Sequence, residues 1–143
     1  MQDAHSRQIG GTHYLKLGMQ PFQFTLPNGW DGATHTILKY VSRHHNVDTA
    51  EAIESLRKAL HLIDIRNQAI ETNNYANTVL GVSPKITMAE YLRANQLGDL
   101  EAVACNYLSA WVYSTEIEGH RVSGAMVWNA IEDILINRYG VGA

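Results

Sequence analysis

The sequence predicts an all-α fold, on two observations. Apolar residues recur at helical spacing, most clearly at Leu100, Val103, Ala104, Tyr107, Leu108, Trp111 and Val112. Helix-start signals are also present, because Asp48 and Thr87 are each followed three residues later by Glu. We therefore expect two helical hairpins and a short helix, preceded by an irregular N-terminal arm in a single domain.

The arm covers residues 1–30. Five of the eleven glycines and two of the three prolines fall within the first 32 residues. Such residues interrupt helices, so we expect turns and a short extended piece over residues 20–26.

The first hairpin covers residues 31–74. Ile37, Leu38 and Val41 share one side of a helix expected to end near residue 45, and the helix beginning at Asp48 is expected to end near residue 73. Residues 75–86 have no apolar period and are expected to form a linker with a turn near Pro84.

The C-terminal helices cover residues 87–143. We expect a short helix from Thr87 to near Gly98, a helix from Asp99 that Gly119 interrupts, and a last helix from Ser123. Similar pentapeptides at residues 39–43 and 106–110 suggest a degenerate repeat of the first hairpin. Chance resemblance between two amphipathic hairpins is the alternative.

Composition limits the classes of partner. Only 17% of the 143 residues are charged, against about 25% in typical domains, which favours a homo-oligomer with part of its surface covered. A net charge of −3 disfavours a nucleic-acid polymer as partner.

The compartment follows from other features. There is a lone cysteine, Cys105, no apolar leader segment and no apolar run long enough to span a membrane. We therefore expect a cytoplasmic protein that does not enter a membrane.

One stripe of cations is the main candidate site. His35, Lys39 and Arg43 are spaced i, i+4, i+8, so they share a helix face, where Arg and Lys donors suit a phosphate. A merely solvated helix face is the alternative. Arg57 and Lys58 on the next helix pose the same choice, since a hairpin would bring one of them towards Lys39.

Other candidates are less specific. His13 and Tyr14 follow two glycines and are suited to contacting a phosphate and a base. Glu51 and Glu54 form an E-x-x-E pair of the kind that binds Mg²⁺, but the chain has no later E-x-x-D. Neither a Walker loop nor a dinucleotide fingerprint is present.

Residues 10–65 resemble a small phage-encoded family of nucleotide kinases that lack a Walker loop. The resemblance rests on four short blocks in order: Thr12-His13-Tyr14, Pro21-Phe22, Ile37-Leu38-Lys39-Tyr40-x-x-Arg43 and Leu56-x-Lys58-Ala59. It implies a phage protein of the host cytoplasm that transfers phosphate from ATP or another nucleoside triphosphate to a nucleoside monophosphate.

The resemblance also implies a set of site residues, which are His13, Tyr14, Lys39, Tyr40, Arg43 and Lys58. For phosphoryl transfer, Lys39 and Arg43 are the catalytic candidates that clamp phosphates, and we expect Glu54 or Asp64 to hold Mg²⁺. The spacing of the cations adds His35 and Arg57 to the substrate-binding candidates His13, Tyr14, Tyr40 and Lys58.

The chain departs from the family pattern at three places. It has His35-Thr36 in place of Gly-Asn, His44-His45-Asn46 in place of a Gly-Lys-Lys-like run, and Ser55 in place of an acid. These changes affect catalysis more than binding. Two alternatives therefore stay open: a non-catalytic protein that sequesters a nucleotide signal of host defence, and a helical interaction protein.

Overall fold

The computed structural model describes residues 17–72, 74, 75, 79 and 82–143. Within these residues it confirms the all-α prediction, since six α-helices and no strand are present. A 3₁₀ turn, His44–Asn46, follows the second helix. The helices are α1 (Pro21–Asn28), α2 (Gly32–Arg43), α3 (Thr49–Glu71), α4 (Met88–Asn95), α5 (Asp99–Val112) and α6 (Ile117–Tyr139).

The four longer helices α2, α3, α5 and α6 pack as a bundle. α2 contacts α3 and α5, and α6 contacts the same two helices. Contacts from Asp31 to Arg66 and from Arg43 to Ser55 make α2 and α3 antiparallel, and the Glu71–Arg121 pair does the same for α3 and α6. The two hairpins are α2–α3 and α5–α6. Their first helices, α2 and α5, pack on each other, and so do their second helices, α3 and α6, as a repeat requires. The duplication itself stays a prediction.

The core lies between these four helices. Its largest fully buried apolar side chains come from every helix of the bundle and from α1 and α4 as well. They include Phe24, Ile37, Leu38, Leu56, Ile63, Tyr91, Leu108, Trp111, Ile131, Ile134 and Leu135. Trp111, from the apolar series predicted for α5, is fully buried in the core.

The expected extended piece at residues 20–26 is wrong, because α1 is a helix there. Pro21 occupies the first helical position, where its missing N–H costs nothing, and Gln23 Oε1 accepts the Gln20 backbone N–H at 2.7 Å. Gly29 ends the helix with φ at 70°, the left-handed conformation that glycine adopts without strain. The arm thus contains a helix that packs on α2.

The expected break at Gly119 and the expected helix start at Ser123 are also wrong. α5 already ends at Val112, and α6 begins at Ile117, so both residues lie inside α6. A glycine within a helix costs about 1 kcal/mol relative to alanine, which the packing of a 23-residue helix outweighs.

Candidate functional site

The cationic stripe lies on the side of α2 that faces α1 and α3. Asp31 caps the helix by accepting the Thr34 N–H at 2.8 Å. His35 and Arg43 are each only 9% exposed, and Lys39 is half-buried. The alternative of a solvated face is therefore wrong for this stripe.

His35 is held by α1, the helix that the sequence analysis missed. Its Nδ1 hydrogen-bonds to the Thr25 hydroxyl at 2.7 Å, and its ring stacks on Phe22 with 3.8 Å between centroids. Burial lowers the pKa of His35, and the nearby Lys39 lowers it further. A neutral imidazole at pH 7 follows, so His35 can donate a hydrogen bond to a ligand but adds no charge.

Lys39 and Arg43 lie close to each other beside Tyr40. Lys39 Nζ is 5.1 Å and the Arg43 guanidinium carbon 5.2 Å from the centroid of that ring. Burial lowers the pKa of Lys39, and repulsion from Arg43 adds to the effect. No carboxylate among the described residues lies within ion-pair distance of Lys39. An anion bound here would relieve that repulsion.

Arg43 is fixed in place by α3. Its Nη2 donates to the Ser55 hydroxyl at 3.2 Å, and its Nη1 lies 3.5 Å from a Glu51 carboxylate oxygen. Glu51 was a candidate only for Mg²⁺, and Ser55 was noted only as a departure from the family pattern, so neither contact with Arg43 was predicted. Their spacing of four residues on a helix beginning at Thr49 was the available signal.

Arg57 and Lys58 have other partners. Arg57 Nε and Nη2 donate to the Gly142 carbonyl at 3.3 and 3.0 Å, and Lys58 Nζ lies 3.2 Å from Glu54 Oε1. The antiparallel register places the turn of α3 containing Lys58 level with Lys39. Lys58 therefore lies at the same level along the helix axis as Lys39 and can approach a ligand on the stripe. Arg57 instead hydrogen-bonds to the C-terminal tail.

The two predicted magnesium ligands, Glu54 and Asp64, do not share a site. They are ten residues apart on α3, which corresponds to about 15 Å along a helix axis. No group of three or more histidine, cysteine or acidic side chains in the described part of the chain is arranged to hold a metal ion. His13 and Tyr14 lie outside the described residues.

A partly buried ion pair anchors the start of α2. Arg66 is 2% exposed and donates from Nε to Asp31 at 3.0 Å and from Nη2 to the Tyr75 hydroxyl at 2.7 Å. Burial alone would raise the pKa of Asp31, but Arg66 and the Thr34 N–H outweigh it and the pKa is lowered. The guanidinium also stacks 4.2 Å over Trp111, which ties α2 and α3 to α5.

A second buried polar cluster anchors the end of α2. His44 hydrogen-bonds to the Tyr139 hydroxyl at 2.6 Å and to Glu101 at 3.3 Å. The hydrogen bond from His44 lowers the pKa of Glu101 to about 2, and Arg138, 3.5 Å away, acts in the same direction. Both ends of α2, on either side of the stripe, are therefore anchored by polar contacts to other helices.

Comparisons with known proteins add no family. No family model, curated protein or solved structure matches the chain. No helix in the described ranges is both long and apolar enough to cross a membrane.

Proposed function

We propose that the protein binds a nucleoside phosphate on the α2 stripe, with Lys39 and Arg43 contacting the phosphate groups. The supporting observation is that these two cations lie close together. Lys39 is half-buried and faces no carboxylate among the described residues. Two like charges held together are stabilised by an anion between them. Arg43 supplies a planar, pre-positioned donor, and Lys39 supplies a movable point charge.

Nucleoside monophosphate kinase activity is the function that we propose for this site. Phosphoryl transfer depends mainly on positioning and charge neutralisation, which Lys39 and Arg43 suit. Tyr40 lies beside both cations, where it suits a base or ribose. Mg²⁺ would arrive with the triphosphate donor, with Glu54 the nearer of the two candidate carboxylates along α3.

Binding without turnover is the second candidate. Glu54 already pairs with Lys58, and Asp64 lies roughly three turns further along α3, so the carboxylates favour a clamp over a metal-assisted reaction. Such a protein would sequester a nucleotide signal. A third candidate, a helical interaction protein or homo-oligomer, draws on the exposed apolar Phe22 and Leu26 of α1.

The test is a binding titration with nucleoside mono-, di- and triphosphates, with and without Mg²⁺, followed by product analysis. The Lys39→Ala variant is expected to lose at least about tenfold in affinity, because a hydrogen bond to a charged group is removed. Lys85→Ala removes the same charge from an exposed position and is the matched control.

The outcomes separate the candidates. New nucleoside diphosphate from a monophosphate and a triphosphate identifies a kinase, whereas saturable binding without product identifies the sequestering protein. Equal affinity of Lys39→Ala and the unaltered chain, or no binding of any nucleotide, contradicts the proposal. If no nucleotide binds, sedimentation velocity tests whether the chain self-associates, as expected of the helical interaction protein.

A further inference from the structure

Helix α1 presents an exposed aromatic surface beside the cationic stripe. Phe22 is 51% exposed, although its ring stacks on His35 with 3.8 Å between centroids and 21° between the ring planes. His35 is only 9% exposed, so the open face of this stack belongs to Phe22. Leu26, one turn further along α1, is 68% exposed and extends the apolar surface. A flat aromatic ligand can stack on such a surface.

This surface is continuous with the proposed phosphate site. Burial lowers the pKa of His35, and the charge of Lys39 lowers it further, so these two side chains lie close together. They are four residues apart on α2, which is about one helical turn, or about 5.4 Å along the axis. A nucleotide has one ribose between its base and its first phosphate, which is a span of similar size. A phosphate at Lys39 therefore brings the base within reach of the Phe22–His35 stack.

The charges divide the stripe into two halves. Lys39 and Arg43 both lie close to the Tyr40 ring, at 5.1 and 5.2 Å from its centroid, so phosphates bound to these cations would lie beside Tyr40. The stack of Phe22 on His35 adds no charge at pH 7, because His35 is neutral there. The half of the stripe beside Arg43 thus suits phosphates, and the half beside Phe22 suits an uncharged ring.

We infer that the base of the bound nucleotide stacks on the exposed face of Phe22, while its phosphates lie towards Arg43. This inference rests on the proposed function, because it places the base of the same ligand. Stacking on a single aromatic ring tolerates every base, and a purine offers a larger surface than a pyrimidine. We therefore expect purine nucleotides to bind more tightly than pyrimidine nucleotides with the same number of phosphates.

The first test compares two ligands that share a phosphate chain, ATP and inorganic tripolyphosphate, in the absence of Mg²⁺. Phe22→Ala is expected to weaken ATP binding at least about fivefold, the lower end of what one stacked base contributes, and to leave tripolyphosphate binding unchanged. Phe22→Trp keeps a stacking surface and is expected to retain ATP binding. Ile136→Ala, at a position of α6 that is 50% exposed, is the matched control and leaves both affinities unchanged.

The second test observes Phe22 directly, by ¹⁹F NMR of the full chain labelled with 4-fluorophenylalanine. The chain has two phenylalanines, so two signals are expected, and Phe22→Leu assigns them. ATP is expected to shift the Phe22 signal saturably through the ring current of adenine, whereas tripolyphosphate shifts it much less. Phe24 is 1% exposed and packs edge-on against Trp30, so its signal is the internal reference.

Full ATP affinity in Phe22→Ala, or an unmoved Phe22 signal with ATP bound, overturns this inference and leaves the phosphate proposal standing. An equal loss of affinity for ATP and for tripolyphosphate in Phe22→Ala also overturns it, because Phe22 would then only hold His35 and the stripe in place. Failure of the unaltered chain to bind either ligand contradicts the proposed function and this inference with it. Lys39→Ala is expected to weaken both ligands, which separates loss of the phosphate contact from loss of the base contact.

Discussion

Helices α2 and α5 lie side by side in the bundle but bury different chemistry. Of the seven buried residues of α2, four are polar: Thr34, His35, Ser42 and Arg43. Of the six buried residues of α5, only Glu101 is polar. Burying polar groups costs free energy unless each is hydrogen-bonded. A helix whose only role is to pack in the core is therefore expected to bury mostly apolar residues, as α5 does. α5 therefore serves mainly the core, whereas α2 also buries a hydrogen-bonded polar set, part of which belongs to the proposed ligand site.

The largest effect is expected in α5. Trp111→Ala removes a fully buried indole and the surface on which Arg66 stacks, so the free energy of unfolding is expected to fall by about 3–5 kcal/mol. Urea denaturation measures the change. Val103→Ala, an exposed position on the same helix, is the control. A loss below about 1 kcal/mol for Trp111→Ala would contradict the assignment of α5 to the core.

A smaller loss is expected where α2 meets α3. Arg66→Met keeps much of the side-chain volume but removes the hydrogen bonds to Asp31 and Tyr75. The expected loss of stability is about 2–3 kcal/mol, since Asp31 is partly exposed and regains water. Arg93→Met, at an exposed position of α4, controls for loss of charge. Equal stabilities of the two variants would rule out this anchor for α2.

The anchor at the other end of α2 is expected to depend on pH. Because the pKa of Glu101 is lowered from 4.5 to about 2, its ionised form stabilises the fold above pH 4.5, and this contribution is lost as pH falls towards about 2. Glu101→Gln is expected to be less stable at pH 6 and to show a flatter pH dependence between these values. Denaturation midpoints at several pH values test this, with Asp133→Asn as control. Parallel profiles for Glu101→Gln and the unaltered chain would be inconsistent with the paired carboxylate.

The smallest effect on stability is expected on the stripe itself. Lys39→Met removes a charge that faces repulsion from Arg43 and has no ion pair among the described residues. The free energy of unfolding is expected to change by less than about 0.5 kcal/mol, although nucleotide affinity falls. Thermal denaturation without ligand measures the first quantity. A large destabilisation would mean that Lys39 serves the fold.

Long helices were predictable from sequence, and short or interrupted ones were not. α3 and α5 have strong apolar periods, and their predicted starts agree with the structure within one residue. α1 has eight residues and contains two prolines, so local signals pointed away from a helix. In α6, a helix break was predicted at Gly119 because the sequence does not show the packing of this helix, which outweighs the cost of an internal glycine.

The candidate site was predictable in part. Spacing alone put His35, Lys39 and Arg43 on one face. The burial of that face depends on α1 and on Ser55 and Glu51 of α3, which come near only through the tertiary fold.

The most direct test of the central contrast is the pKa of Lys39, measured by NMR of its side-chain amine with and without a nucleoside triphosphate. In the free protein the pKa is expected to lie below the usual value for lysine, because of burial and Arg43. Bound phosphate should raise it by supplying the missing negative charge. An ordinary pKa in the free protein that does not change on addition of nucleotide would contradict the assignment of α2 as the ligand-binding helix.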